Sequence, residues 1–271
     1  TDVVFNGSHF IAVGDKGNIL TSADGIEWVA RQSGTEADLT AVVSQGEDVV
    51  AVGDDATVLL SKDRGVTWTT KYSRERVRLA GVAVDSSQIV TGGMDLNSGN
   101  VFIIRSVDGG SRWTGVDSWP LSDHFVTDMV HANGIFVAGT YAYDNDPASV
   151  GYAMVSADGG RWNEIVVSQA VAAISAVGYH DNQFIAAGPE SALFVSADAY
   201  NWRELDTPVD RVDYLSSAWN GSRLIVAGGI TWWYWWFGTP SFERPVGLSS
   251  TDGGATWEAF NINGYYQSNG L

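Results

Sequence analysis

The chain has 271 residues, of which 32 are acidic, 15 are basic and none is cysteine. The formal net charge of −17 opposes binding to nucleic acid or to an anionic membrane surface. The absence of cysteine excludes disulfides, thiol chemistry and cysteine metal sites. No apolar run reaches the length of about 18 residues that a membrane-spanning helix needs, so no membrane span is predicted.

Short apolar segments alternate with turn residues from Thr1 onward, a pattern typical of β-strands rather than helices. The second repeat predicts four strands, at 39–44 (A), 49–53 (B), 58–61 (C) and 67–71 (D). The predicted A–B turns carry residue pairs that favour two-residue hairpin loops: Asn6-Gly7, Asn133-Gly134, Asp181-Asn182 and Asn220-Gly221.

Six copies of a Ser-x-Asp motif followed by Trp recur along the chain and are called here the Ser-Asp turns. They span residues 22–28, 61–68, 106–113, 156–162, 196–202 and 250–257. Ser and Asp side chains accept hydrogen bonds from nearby backbone N–H groups, Gly accommodates a left-handed conformation, and the Trp ring can pack on neighbouring strands. We therefore interpret these residues as structural rather than catalytic or metal-binding.

A second repeated element, an apolar run closed by Gly, precedes each Ser-Asp turn. The distance from each turn Trp to the next such Gly is nearly constant, at 24 to 26 residues. The distance from that Gly to its own turn Ser is 8, 8, 14, 17, 8 and 22 residues in the six repeats. Extra residues therefore enter only between strands B and C, in the third, fourth and sixth repeats.

A repeat of this length, with four strands, predicts an all-β, six-bladed β-propeller with four-stranded antiparallel blades. We expect one domain, 1–271, with repeats at about 1–36, 37–76, 77–121, 122–170, 171–210 and 211–262 and a tail at 263–271. The Ser-Asp turns would be C–D turns. The B–C and D–A loops, and hence the insertions, would share the opposite face, called here the loop face.

The motif Ser61-Lys62-Asp63-Arg64-Gly65-Val66-Thr67-Trp68 resembles the Asp-box, or BNR repeat, of sialidases and related β-propellers. The whole repeat, with its apolar run, Gly-Asp pair and Ser-x-Asp turn, also resembles the Ycf48-like photosystem-assembly propellers. The resemblance covers essentially the whole chain and implies the propeller fold, while a shared fold does not carry a chemistry by itself.

The sixth insertion is the strongest functional signal, because four of the 12 Trp residues lie within five positions. Exposed aromatic clusters usually mark binding surfaces, although this one could instead be a lid or an oligomer contact. Neighbouring insertions supply further aromatic and polar groups. The candidate ligand-binding residues are Trp232, Trp233, Tyr234, Trp235, Trp236, Glu243, Arg244, Trp119, Tyr141, Tyr143 and Asp144.

The leading hypothesis is non-catalytic recognition of a carbohydrate or polysaccharide by this aromatic face. The alternative is a protein-docking propeller like the assembly factors it resembles, with a partner protein on the same loop face. A second alternative is a polysaccharide hydrolase or lyase that uses carboxylates there. The acidity, the scarcity of Lys and the lack of Cys favour an exported bacterial protein, extracellular or periplasmic. The chain shows no signal peptide, which is expected of a mature or trimmed form.

Sialidase activity is not expected, because the Arg-Ile-Pro motif of that family is missing and no ordered arginine triad can be identified among Arg74, Arg76, Arg78, Arg211 and Arg244. A glycosidase needs two carboxylates about 5 to 10 Å apart. Many acids fall on the loop face: Asp15, Asp54, Asp55, Asp95, Asp144, Glu190, Asp210 and Glu243. No catalytic pair is assigned, and no metal site, nucleotide site or cofactor is predicted.

Overall fold

The computed structural model describes residues 1–116, 124–142, 150–171, 173–219, 222–232, 241–252, 254 and 256–261. At positions 219, 230–232, 241–245 and 261 it describes the backbone alone. These residues form six four-stranded antiparallel sheets, each built from consecutive strands. The predicted all-β, six-bladed propeller is therefore confirmed. No helix in the described part of the chain is long and apolar enough to cross a membrane.

The first three blades contain twelve strands and one short 3-10 helix. Blade 1 contains β1 (Asp2–Phe5), β2 (Phe10–Val13), the 3-10 turn (Asp15–Gly17), β3 (Ile19–Ser22) and β4 (Val29–Arg31). Blade 2 contains β5 (Leu39–Gln45), β6 (Asp48–Gly53), β7 (Val58–Ser61) and β8 (Thr69–Tyr72). Blade 3 contains β9 (Val77–Val84), β10 (Ile89–Asp95), β11 (Asn100–Ser106) and β12 (Thr114–Gly115).

The other three blades repeat the same strand order. Blade 4 contains β13 (His124–Ala132), β14 (Ile135–Ala142), β15 (Gly151–Ser156) and β16 (Asn163–Ser168). Blade 5 contains β17 (Ala176–His180), β18 (Gln183–Ala187), β19 (Leu193–Ser196) and β20 (Arg203–Glu204). Blade 6 contains β21 (Val212–Trp219), β22 (Leu224–Trp232), β23 (Ser241–Ser250) and β24 (Glu258–Asn261).

The first strand of each blade lies innermost, and the inner strands of successive blades contact one another from β1 through to β21. Backbone hydrogen bonds join some of these neighbours directly. Leu39 N–H donates to the Gly14 carbonyl at 3.1 Å, and Tyr214 N–H donates to the Gly188 carbonyl at the same distance. Each bond connects an inner strand to the end of strand B in the preceding blade, so the ring is held by backbone as well as by side chains.

Apolar side chains alternate between the two faces of each sheet, as the twofold period of a strand requires. In β6, Val49 and Ala51 pack toward blade 1, whereas Val50 and Val52 pack toward blade 3. Five apolar clusters of this kind fill the five junctions between successive blades, from blade 1 to blade 6. Burial of these faces, at about 25 cal/mol per Å², is the main stabilising term of the ring.

The turn at Ser61 shows why the Ser-Asp sequence recurs. Ser61 Oγ donates to Asp63 Oδ1 at 2.8 Å and accepts from Gly65 N–H at 2.8 Å. Thr67 donates to Asp63 from its hydroxyl at 2.6 Å and from its N–H at 2.8 Å. These donors lower the pKa of Asp63 to about 2. The Ser-to-Asp bond recurs in all six turns, which supports the structural interpretation of these carboxylates.

Two of the three insertions lengthen B–C hairpins. In blade 3 the ladder of β10 and β11 continues to the pair Asp95 and Asn100. In blade 6 the ladder of β22 and β23 continues, across one register shift after Ile230, to the pair Trp232 and Ser241. The tip of the aromatic insertion, residues 233–240, and the blade 4 insertion, residues 143–149, lie outside the described residues.

The Gly that ends strand B is required by close approach of the inner strand. A Cβ added at Gly53 would lie 2.0 Å from the Asp38 carbonyl oxygen, and one added at Gly228 would lie 2.0 Å from that of Asp213. Both contacts are with backbone, which cannot rotate away. In blades 2 and 6 the apolar-Gly element therefore marks the place where strand A folds across the end of strand B.

We expect Gly53→Ala to lower the free energy of unfolding by about 2–4 kcal/mol, because the added methyl group forces the inner strand outward. Urea denaturation would measure the change. Gly115→Ala is the matched control, since nothing lies within 4 Å of a Cβ added there. Equal losses for the two variants would show that the contact with Asp38 does not set the requirement for glycine.

Candidate functional site on the loop face

A cavity of about 390 Å³ opens on the loop face near the centre of the ring. Residues at the loop-face ends of inner and second strands in blades 1 to 4 line it, together with the chain's first residue. They are Thr1, Thr40, Arg78, Ala80, Met94, Phe125, Val126 and Thr127. A second cavity of about 400 Å³ lies at the outer part of the loop face of blade 1, between Lys16 and Glu36, and another lies on the opposite face around Asp48, Lys62 and Gln88. The central cavity therefore coincides with the face that carries the insertions.

One aromatic ring, Phe125, lines this cavity, and a second ring stacks on it. Phe125 stacks on Tyr141 with ring centroids 5.2 Å apart and an interplanar angle of 28°. Tyr141 is 39% exposed, and its backbone bridges to Ala173 at the edge of blade 5. The strands fix both rings, because Phe125 and Tyr141 are directly paired across β13 and β14. The stack offers a rigid flat surface to an apolar group.

Arg78, in β9, lines the cavity, and Arg74 and Arg76 precede it on the D–A connection between blades 2 and 3. Arg78 Nε lies 3.4 Å from Asp54 Oδ1, and Arg74 Nη2 lies 2.9 Å from Asp95 Oδ2. Arg74 also lies over the Phe102 ring, 5.0 Å from its centroid. The side chains of Arg74 and Arg78 are 47% and 59% exposed, so both remain accessible to a ligand from solution.

The carboxyl groups beside these arginines differ in their acidity. The Asn97 N–H and the Arg74 guanidinium lower the pKa of Asp95. Burial raises the pKa of Asp54, an effect that Arg78 opposes and that Asp38 and Asp55 reinforce. The described residues contain no group of three or more His, Asp or Glu side chains placed to hold a metal ion. The cavity is therefore suited to binding through stacking and charge.

Tyr141 is the predicted ligand-binding residue whose side chain the structure describes, and its ring stacks on Phe125 of the cavity lining. The backbones of Trp232, Glu243 and Arg244 lie in the long hairpin of blade 6. The other predicted ligand-binding residues lie outside the described residues: Trp119, Tyr143, Asp144, Trp233, Tyr234, Trp235 and Trp236. Phe125 and Met94 were not singled out, because a lone apolar residue at a strand end carries no sequence signal that distinguishes a cavity wall from the core.

Two carboxyl groups are built into the inner strands at equivalent positions in blades 1 and 4. Asp2 Oδ2 accepts a hydrogen bond from Val42 N–H at 2.8 Å, and Asp128 Oδ2 accepts one from Val177 N–H at 3.0 Å. Each carboxyl therefore links its blade to the backbone of the next one. Loss of bulk water raises the pKa of Asp128 to about 7, and repulsion from Asp2 adds to this effect.

We expect Asp128→Asn to stabilise the protein relative to wild type increasingly as the pH rises from 4 to 7. A carboxyl group whose pKa is raised by folding binds its proton more tightly in the folded state than in the unfolded state. In the wild type its contribution to the free energy of unfolding is therefore largest at low pH and is lost as the pH rises toward 7, whereas Asn has no such dependence on pH. The difference between the two proteins should change by about 3 kcal/mol over this interval. Urea denaturation at several pH values would measure it, and a difference independent of pH would contradict the raised pKa.

The fold defined by these sheets is that of a six-bladed β-propeller with one cavity-bearing loop face. No protein-family profile and no curated protein sequence matches the chain. Solved structures do match over nearly its whole length. YCF48 bound to a D1 peptide shares 19% identity with a TM-score of 0.65, covering 95% of this chain and 80% of that one.

Two other solved structures are also similar in fold to this chain. YCF48 from Cyanidioschyzon merolae shares 16% identity with a TM-score of 0.66, covering 96% of this chain and 84% of that one. A chain of the nidogen–laminin complex shares 11% identity with a TM-score of 0.62 and 94% coverage of both chains. This chain is thus similar in fold to Ycf48 propellers, as the repeat pattern of the sequence predicted. Identities this low establish the shared fold alone.

Proposed function

We propose that this protein is a docking propeller that binds an extended segment of a partner protein at the central cavity of its loop face. The observation that carries the proposal is the combination of a fixed aromatic stack, Phe125 on Tyr141, with exposed arginines at the rim of one cavity. The fold neighbour that holds a D1 peptide supports a peptide as the class of ligand.

The cavity's chemistry indicates which peptides would fit. An apolar or aromatic side chain would stack on the exposed face of Tyr141, and a carboxylate would approach Arg78 or Arg76. Arg76 donates to the Asn97 side-chain oxygen, which holds its guanidinium on the same rim. A net charge of −17 repels acidic peptides from the rest of the surface, so a few arginines at one rim would localise them there.

We expect Tyr141→Ala and Arg78→Gln each to weaken binding of acidic-aromatic peptides by about tenfold or more, because each removes one anchor from a small site. Binding would be measured first on an array of 15-residue peptides with varied acidic and aromatic positions, then by calorimetry on the best binder. Tyr200→Ala and Arg64→Gln are matched controls, since both side chains are similarly exposed and lie in Ser-Asp turns on the opposite face.

The proposal fails if no peptide on the array binds, or if the control variants lose as much affinity as the cavity variants. Raising the salt concentration should weaken binding of wild type more than that of Arg78→Gln, because an exposed charge pair is screened by ions. An equal salt effect on both proteins would show that Arg78 makes no charge contact with the bound peptide.

Glycan binding is a second candidate, favoured by the exposed flat ring of Tyr141 and by the Trp-rich sequence of the insertion 231–238. In that case the protein would act outside the cytoplasm, on a polysaccharide. A panel of soluble oligosaccharides, tested by the quenching of Trp fluorescence with wild type and with Tyr141→Ala, separates the two candidates. Saturable quenching of Trp fluorescence by a glycan, together with no binding of any peptide on the array, would favour glycan binding as the function.

A further inference from the structure

A cavity of about 500 Å³ opens at the outer edge of the junction between blades 3 and 4. One side of it is β12, the outermost strand of blade 3, and the other side is the Ser-Asp turn of blade 4 together with the start of β16. Small-molecule sites commonly have volumes of about 300–1,000 Å³. This cavity, called here the outer cavity, shares no described lining residue with the central cavity of the loop face.

Positive charges and hydrogen-bond donors dominate the lining of the outer cavity. The side chains available there include Arg105, Arg161, Thr114 and Asn163, and none of the described lining residues is Asp or Glu. The chain as a whole has 32 acidic and 15 basic residues, so this lining departs from the average composition of the protein. The outer cavity is therefore suited to an anion.

Arg105 occupies a strand position that is uncharged and buried in each of the other blades. It is the residue directly before the Ser of the Ser-Asp turn. The equivalent residues of the other five blades are each at most 5% exposed: Thr21, Leu60, Val155, Val195 and Ser249. Five blades thus form the same turn and strand without a charge at this position, so the fold itself does not require the guanidinium.

The guanidinium of Arg105 is held in one orientation by blade 4. Its Nη1 donates a hydrogen bond to the Asp158 carbonyl oxygen at 2.8 Å. It also lies against Gly160, where an added Cβ would be 2.6 Å from Nη1 and 2.7 Å from Cζ. The described residues supply this one acceptor for the five N–H donors of the group. Because Arg105 lines the outer cavity, its other donors are positioned for a ligand there.

The Asp158 carboxylate is bonded within its own turn and forms no ion pair with Arg105. Its Oδ1 accepts the N–H groups of Gly160 and Arg161, each at 2.8 Å. These two donors lower the pKa of Asp158, and the charge of Arg105 adds a smaller effect. The ion pairs within 4 Å in the described part of the chain involve four other cations, Lys62, Arg64, Arg74 and Arg78. Both arginines of the outer cavity therefore lack a carboxylate partner among the described residues.

We propose that the outer cavity binds a small organic anion whose carboxylate or phosphate group lies between the guanidinium groups of Arg105 and Arg161. A guanidinium offers parallel N–H donors that match two oxygens of either group. The side chains of Thr114 and Asn163 would hydrogen-bond the rest of the molecule. This site lies outside the loop face and does not depend on the docking function proposed above.

The free energy of burying charge favours a ligand over an internal role for Arg105. A half-buried guanidinium loses part of its hydration, and no ion pair with a described residue compensates this loss. A bound anion would supply the compensation and displace only water. The net charge of −17 opposes binding of anions elsewhere on the surface, which makes a local pair of arginines selective.

The ligand class is tested by calorimetry with three probes at constant ionic strength: inorganic phosphate, glycerol phosphate and citrate. We expect saturable binding of at least one probe, and an affinity about tenfold or more lower for Arg105→Gln. Arg161→Gln should weaken binding less, because its side chain is exposed and more strongly screened. Binding of glycerol phosphate and not of citrate would identify phosphate as the group recognised, and the reverse result would identify carboxylate.

Arg112→Gln is the matched control for the general effect of removing a positive charge. Arg112 directly precedes the turn Trp of blade 3, as Arg161 does in blade 4, and both backbone N–H groups donate to the turn Asp at 2.8 Å. At the junction of blades 2 and 3 the position of Arg105 is taken by Leu60. We expect Arg112→Gln to change the affinity for the anion by less than about twofold.

Arg105→Leu separates binding from stability, because it introduces the side chain that blade 2 has at Leu60. We expect its midpoint of urea denaturation to be no lower than that of wild type, although it should bind no anion. The anion should raise the Tm of wild type by binding the folded state, and this rise should be absent in Arg105→Leu.

Three outcomes would overturn the proposal. None of the three probes binds saturably to wild type, or Arg112→Gln loses as much affinity as Arg105→Gln, which would indicate a diffuse charge effect. The third is an Arg105→Leu protein that is less stable than wild type and still binds the anion with unchanged affinity, which would show that Arg105 only anchors the turn of blade 4.

Discussion

The packing of each sheet against the preceding one is the interaction on which the whole ring depends. No disulfide is possible in this chain, and no described blade exchanges a strand with its neighbour. The blades are therefore joined by apolar faces, by a turn Trp at each junction, and by a few hydrogen bonds between inner strands. Within blades 2 and 6, strand A crosses the Gly at the end of strand B so closely that no Cβ would fit there.

Polar groups at the junctions determine how neighbouring blades align and add little to the total free energy of unfolding. The hydroxyls of Thr40 and Thr127 donate to carbonyl oxygens of the next inner strand, at 2.6 and 2.5 Å. The Asp2 and Asp128 carboxyls accept N–H groups from the next blade in the same way. A buried hydrogen bond contributes only about 1 kcal/mol net, but an unpaired partner costs more, so these bonds favour one alignment of neighbouring blades over slipped alternatives.

The fold was predictable from sequence because it is repeated six times. In the second repeat the predicted strands at 39–44, 49–53 and 58–61 agree with β5, β6 and β7 within one residue. Strand D was predicted to begin two residues early, because Thr67 and Trp68 close the Ser-Asp turn before β8 starts at Thr69. Of the candidate site, the pattern predicted the insertions on the loop face, and a binding role of Tyr141 stays a prediction. The pattern could not predict the contact of Phe125 with Tyr141, since that contact depends on strand register. It also could not predict that Trp28 is 39% exposed and Trp162 2% exposed, since both close a Ser-x-Asp motif of the same length.

The insertions of blades 3 and 6 extend the ladders of B–C hairpins, so the described walls that they add to the loop face are made of sheet. A hairpin grows by adding one residue to each of its two strands, and each added pair raises the wall by about 3.4 Å. The depth of the binding face can thus change in fixed increments while the ring beneath it stays the same. Walls of this kind are already ordered before a ligand arrives, so little conformational entropy is lost on binding, and one scaffold can present cavities of graded depth to partners of different size.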